Sequence, residues 1–116
     1  MDKLGEKTFT AMIALKAKLA AEDCQELTEK IIDGIGMQKA HERVIFTYPY
    51  NGGGNGFIYI QPIIESFIAW DIWLDPEGGY LTVCSCKPFS MVPIIGILEK
   101  EGIKILEMTE TSMGLK

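Results

Sequence analysis

Cysteine is scarce in this sequence, histidine nearly absent, and basic residues are outnumbered. The 116 residues include three Cys and one His, with eleven Lys and Arg against sixteen Asp and Glu for a net charge of −5. An odd thiol count without a secretory signal argues for reduced cysteines rather than a disulfide framework. A domain of this length buries roughly two-thirds of the surface its unfolded chain exposes, so it needs no covalent staple. Zinc takes four ligands from Cys, His and carboxylates. Cys84-Ser85-Cys86 with a distant Cys24 and the single His41 do not supply such a set, and no metal is expected. Lys and Arg are nowhere clustered, so the electrostatic footprint of a nucleic-acid binder is missing. Gly, Pro, Glu or Asp interrupt every apolar run before 18 residues, and Met1-Asp2-Lys3-Leu4-Gly5-Glu6 lacks the apolar core of a signal peptide. These features predict a soluble cytoplasmic protein without a membrane partner.

What is present reads as one domain over residues 1–116, with no internal repeat. Lys7 to Leu19 is ambiguous, because Thr8-Phe9-Thr10-Ala11-Met12-Ile13 alternates like a strand while the residues after it are strong helix formers. We read a strand first. Leu27, Ile31 and Ile35 recur at helical spacing, acidic residues fill the first turn, and Gly34 and Gly36 end the run, giving an amphipathic helix over Glu22 to Ile35. Arg43 to Tyr50 and Phe57 to Ile64 are β-rich runs joined by the glycine-rich segment Asn51 to Gly56, a hairpin in which Pro62 marks an edge or bulge.

Phe67 to Trp73 and Tyr80 to Cys86 follow as strands around the turn at Asp75-Pro76-Glu77-Gly78-Gly79. Alternation places Tyr80, Thr82, Cys84 and Cys86 on one face. Ser90 is positioned to cap a second helix with Pro93 in its first turn, and Ile103 to Thr109 makes a short closing strand. The order predicts an α+β fold, a two-layer α/β sandwich whose antiparallel sheet carries both helices on one face. Both parities of Phe57 to Ile64 are apolar, so the other face is expected to meet a second subunit, as in a homodimer, or a ligand.

The segment Glu65-Ser66-Phe67-Ile68-Ala69-Trp70-Asp71-Ile72-Trp73-Leu74-Asp75-Pro76-Glu77-Gly78-Gly79-Tyr80, followed by Cys84-Ser85-Cys86, resembles the processing region of the bacterial and archaeal S-adenosylmethionine decarboxylases. The resemblance implies that the Glu65-Ser66 bond undergoes an acyl shift onto the Ser66 oxygen and that elimination leaves a pyruvoyl group at the new N-terminus. That ketone is the electron sink for decarboxylation of S-adenosylmethionine or a related amino acid. It implies a place in spermidine and other polyamine synthesis, the same sandwich fold, Cys86 or Cys84 as proton donor to the product, and Glu77 as a contact to the substrate ribose. Trp73, Pro76, Gly79 and Tyr80 are approximate counterparts of the family's Trp-Pro-Glu turn and Gly-Tyr strand entry.

The sequence also departs from that pattern. In the glycine turn Gly53-Gly54-Asn55-Gly56, Asn55 stands where the family has a serine that assists self-cleavage, and Asp71 stands where the family has a histidine. Free aspartate titrates near 4 against about 6.5 for histidine, so Asp71 serves the same purpose only if burial raises its pKa strongly. The spacing from Tyr80 to either cysteine is shorter than in the family, and Glu65 lies farther beyond the glycine turn.

Every one of these residues has an ordinary structural reading as well. Ser66 can support a turn, Cys84 and Cys86 can be small core residues, and Trp70 and Trp73 can fill a dimer face or a ligand pocket. Three functional classes remain open from the sequence: a self-cleaving pyruvoyl enzyme, an unprocessed, non-catalytic small-ligand-binding or regulatory homologue, and a plain dimerisation module without a ligand, favoured if Trp70 and Trp73 are buried between subunits.

Overall fold

A computed structural model describes residues 6–49, 55–74 and 76–115. The chain runs β1 (Lys7–Lys16), α1 (Ala21–Ile35), β2 (Val44–Pro49), β3 (Asn55–Ile63), β4 (Ser66–Leu74), β5 (Glu77–Ser85), α2 (Met91–Lys100) and β6 (Lys104–Gly114). The six strands form one sheet in the order β2-β3-β4-β5-β1-β6, with every neighbouring pair antiparallel. Both helices lie on one face, and the result is the expected two-layer α+β sandwich.

Alternation along the strands decides what that face buries. Ala11, Ile13 and Leu15 of β1, Phe57 and Tyr59 of β3, Ile68, Trp70 and Ile72 of β4, and Leu81 and Val83 of β5 all point into the helix layer. They meet Cys24, Leu27 and Ile31 of α1 and Ile94 and Leu98 of α2. One polar pair is built into this core: the Trp70 indole Nε1 donates to Thr28 Oγ1 at 2.8 Å. Because both partners are fully buried, each satisfies the other where no water reaches.

The helix ends follow from local chemistry. Asp23 Oδ2 accepts from the Ala20 N–H at 2.8 Å at the start of α1. Gly36 takes the left-handed conformation at its end, with Met37 N bonded to Ile32 O at 3.0 Å. Gly34 lies inside α1 rather than ending it, and a Cβ there would press against Pro93 of α2 at 3.2 Å, so its bareness lets the two helices approach. Ser90 Oγ accepts from Val92 N at 3.2 Å and caps α2 as the sequence predicts.

Three other expectations are refined by the register. Pro62 lies in β3 beyond the last β2 pair, and its carbonyl accepts from Ala40 N at 3.1 Å. Its missing N–H therefore faces the segment covering that edge rather than β4. β6 is longer than predicted because its polar C-terminal half, Thr109 to Gly114, continues to pair with β1 at the exposed sheet edge. β5 ends at Ser85, so Cys86 lies just past the strand instead of within it. The glycine segment 51–54 and Asp75 fall outside the described residues. Among the described residues no helix is long and apolar enough to cross a membrane.

Candidate functional site

Among the described residues no helix covers the second face of the sheet, and pairing fixes its rows. Val44, Ile60, Ala69, Thr82 and Met12 form one row, and Phe46, Ile58, Asp71, Tyr80 and Ala14 the next. The surface is apolar and open, with Phe46 56% and Tyr80 47% exposed. The candidate residues divide between its two ends.

At one end stands the Glu65-Ser66 junction. Glu65 occupies the tight β3–β4 connection, and Ser66 opens β4 opposite Ser85 of β5. The Glu65 carbonyl oxygen accepts from the Cys86 backbone N–H at 2.9 Å, and its carboxylate Oε1 accepts from Gln38 N at 3.3 Å. The peptide carbonyl before Ser66 is thus already held by a backbone donor. Such a donor stabilises the negative charge that develops when a nucleophile adds to that carbon.

Cys84 comes to the same end from β5. Thr8 Oγ1 lies 3.3 Å from its Sγ, and Thr10 Oγ1 donates to it at 3.7 Å, both from neighbouring β1. Ser66 precedes Phe67, which pairs with Cys84 across β4 and β5. Burial pushes the Cys84 thiol up, but the hydroxyls of Thr8, Thr10 and Ser66 together outweigh it and bring the thiol below its ordinary value. Cys24, by contrast, is wholly buried in the core, where desolvation, with a smaller contribution from Asp23, drives it up to about 12. The three cysteines thus separate into a core thiol, a thiol bonded by strand hydroxyls, and Cys86, whose backbone N–H holds the Glu65 carbonyl.

At the other end lie Trp73, Glu77 and Asn55, of which Glu77 has the strand parity of Leu81 and also lines a helix-side cavity with Lys16, Leu27 and Glu101. Strand β4 runs seven residues from Ser66 to Trp73, about 23 Å at the usual rise per residue. Trp73 and Glu77 line one shallow cavity of about 230 Å³ with Tyr80, Pro76, Gly79 and Leu106. Gly79 is required here, since a Cβ on it would collide with the Asp71 carbonyl of β4. Asn55 opens β3 opposite Pro49, beside the pair Gly56 and Trp73, and is therefore at this far end and not beside Ser66. Asp71 stands between the two ends, between Ile58 and Tyr80, where it accepts from the Trp73 indole Nε1 at 3.2 Å.

The structure thus gathers Glu65, Ser66, Cys84 and Cys86 in one place, and leaves Asn55, Trp73 and Glu77 in another. Trp70 is neither at a pocket nor on the open face, since it is 0% exposed in the helix-side core. Thr8 and Thr10 are additions that the sequence alone did not reveal. Their signal was the alternation that puts both on one face of β1, but what they touch depends on a pairing 74 and 76 residues away. Among the described residues no group of three or more His, Cys, Asp or Glu side chains is arranged to hold a metal ion.

No protein-family model matches this sequence, and no curated protein matches it. In three dimensions the chain is similar to the crystal structure of the adenosylmethionine decarboxylase from Aquifex aeolicus VF5. The TM-score is 0.57 and the identity 16%, over 95% of this chain and 92% of that one. What the two share over nearly their whole length is the fold, a six-stranded antiparallel sheet with two helices in an α+β sandwich.

Proposed function

We propose that the chain cleaves itself between Glu65 and Ser66 and acts as a pyruvoyl-dependent decarboxylase of S-adenosylmethionine or a closely related amino acid. One observation carries the reading: the carbonyl of Glu65, directly before Ser66 at the head of β4, is held by the Cys86 N–H at 2.9 Å. That contact supports an N-to-O acyl shift at this bond. Ser66 Oγ adds to the Glu65 carbonyl carbon, the Cys86 N–H receives the developing oxyanion, and the C–N bond breaks as Ser66 nitrogen takes a proton. Loss of the Ser66 Cα proton with departure of the Glu65 carboxylate then leaves a dehydroalanine. Addition of water releases ammonia and gives the pyruvoyl N-terminus.

The residues present fit that group. Ser66 is exposed at the head of β4, so the new terminus faces solvent and substrate, and Cys84 stands beside it as a proton carrier. A pyruvoyl ketone supplies the electron sink that decarboxylation needs. Trp73 and Tyr80 offer aromatic surface for a flat base, and the Glu77 carboxylate can accept from ribose hydroxyls.

About 23 Å separates these binding groups from Ser66, which is too far for one small substrate to bridge within a single chain. Two chains packed through their open faces about a twofold axis remove the difficulty. The Trp73 and Glu77 end of one protomer then lies over the Ser66 end of its partner, and the apolar face is buried. A homodimer is thus part of the proposal.

A second reading, an uncleaved ligand-binding homologue, draws on one observation: Asn55 and Asp71 are not beside Ser66. Release of labelled carbon dioxide from carboxyl-labelled S-adenosylmethionine distinguishes the two. The decarboxylase reading expects release by the wild-type protein and none by Ser66→Ala. Binding of the labelled compound without release, equal in both proteins, would establish the alternative.

A further inference from the structure

Cys84 sits in a setting that an ordinary core cysteine does not need. Thr8 Oγ1 at 3.3 Å and Thr10 Oγ1 at 3.7 Å both reach its sulfur from β1. Thr8 has one hydroxyl hydrogen and two acceptors in range, the sulfur and the Ser85 carbonyl at 3.5 Å. Ionisation of the thiol favours the sulfur, because a charged acceptor makes the stronger bond. Ser66 stands next to Phe67, the β4 residue paired directly with Cys84, and its hydroxyl also lowers the thiol. No Lys, Arg or His is among the groups bonded to the sulfur, so hydroxyls do the work that a cation does at many reactive thiols.

We infer that Thr8 and Thr10 are positioning residues that hold Cys84 as a reactive thiolate, and that this thiolate takes the proton from the Ser66 hydroxyl. The role the family resemblance gave to a histidine, and here to Asp71, falls to Cys84. In the processing step the Ser66 Oγ–H bond breaks, its proton passes to Cys84 Sγ, and the freed oxygen pair forms the bond to the Glu65 carbonyl carbon. The thiol so formed can return its proton to Ser66 nitrogen when the C–N bond opens, leaving the thiolate as it began. Cys86 is left with the backbone role already described. The processing part of this inference rests on the self-cleavage reading above, whereas the hydrogen-bonded thiolate does not.

Alkylation separates the two. The full chain is treated with iodoacetamide across pH 6 to 10, and the rate at Cys84 is followed by mass spectrometry of its peptide, with Cys86 as an internal reference. Cys84 is expected to react with a lower pH midpoint than Cys86. Thr8→Val and Thr10→Val keep the β-branched shape of each strand position, and together they should slow alkylation at neutral pH by roughly three- to tenfold. Relative to chain that is still uncleaved, Ser66→Ala should move the midpoint upward too, because it removes the third donor. In wild-type protein the self-cleavage rate should rise with pH through the same midpoint, and Asp71→Asn should leave that profile in place.

A Cys84 midpoint at or above that of Cys86, or one unmoved by the double valine variant, overturns the inference. A lowered midpoint that responds to Thr8, Thr10 and Ser66 in a chain that never cleaves upholds the thiolate and its link to Ser66. That result overturns the self-cleavage reading alone.

Discussion

Strand β4 carries two tryptophans three residues apart, one on each face of the sheet, and their surroundings differ. Trp70 is fully buried under the helices with its indole N–H bonded to Thr28 on α1. Trp73 is 36% exposed on the open face, and its N–H bonds Asp71 on the same strand. The same residue type thus ties layers together on one side, while on the other it holds a carboxylate on an apolar surface that has no cover of its own. The thiols repeat the contrast. Burial raises Cys24 to about 12 on the helix side, while hydroxyls lower Cys84 on the open side. Trp70 and Cys24 are sealed by burial on the helix side, whereas the groups proposed to do chemistry sit on the other.

The contrast is sharpest in the tryptophans. Trp70→Ala should cost about 3–5 kcal/mol in urea unfolding, through a large cavity and an orphaned Thr28 hydroxyl, whereas Trp73→Ala should cost about 1 kcal/mol in the isolated chain. Equal losses would erase the distinction between the faces.

Cys24 gives an effect of similar size confined to alkaline pH. Its folded pKa lies above the unfolded value of 9.0, so the neutral thiol is favoured in the fold and its contribution is complete below pH 9. As pH rises from 9 towards 12 the unfolded chain loses this proton first, and stability falls by about 1.4 kcal/mol per pH unit, or about 4 kcal/mol in all. Cys24→Ala should flatten that limb of a stability–pH curve measured by urea unfolding, and an unchanged limb would place the alkaline sensitivity elsewhere.

The smallest expected change in stability comes from the open face. Phe46→Glu lies on the edge strand at 56% exposure and should shift the unfolding free energy of the single chain by no more than roughly 0.5 kcal/mol. By sedimentation it should nevertheless convert a two-chain species to one chain. A wild-type protein already monomeric at high concentration would refute the face-to-face pairing and leave the proposed substrate-binding groups without access to Ser66.

Much of this architecture is written in local patterns. The spacing of Leu27, Ile31 and Ile35 and the cap at Ser90 place their helices within a residue or two, while the alternation from Thr8 to Ile13 falls three residues short of the end of β1. Gly34 was misleading because a bare position at a helix–helix contact looks, in sequence, like a helix end. β6 was underestimated because an exposed edge strand needs no apolar alternation, and Thr109 to Gly114 therefore carry little signal.

The site was legible in part. The pair Glu65-Ser66 and the C-x-C segment could be singled out, and β5 alternation brought Cys84 to the open face, but three consequences of long-range pairing stayed hidden. The β1–β5 register sets Thr8 and Thr10 against Cys84, β5 stops before Cys86, and the β3–β4 register carries Asn55 to the end far from Ser66. None of these is encoded in neighbouring residues.

The most direct test of the account is the intact mass of the protein under denaturing, reducing conditions, taken fresh and again after long incubation. Self-cleavage predicts that the 12.9 kDa chain gives way to two fragments meeting between Glu65 and Ser66, the C-terminal one lighter by one ammonia than the corresponding serine peptide. A single 12.9 kDa species that persists unchanged would contradict the pyruvoyl mechanism.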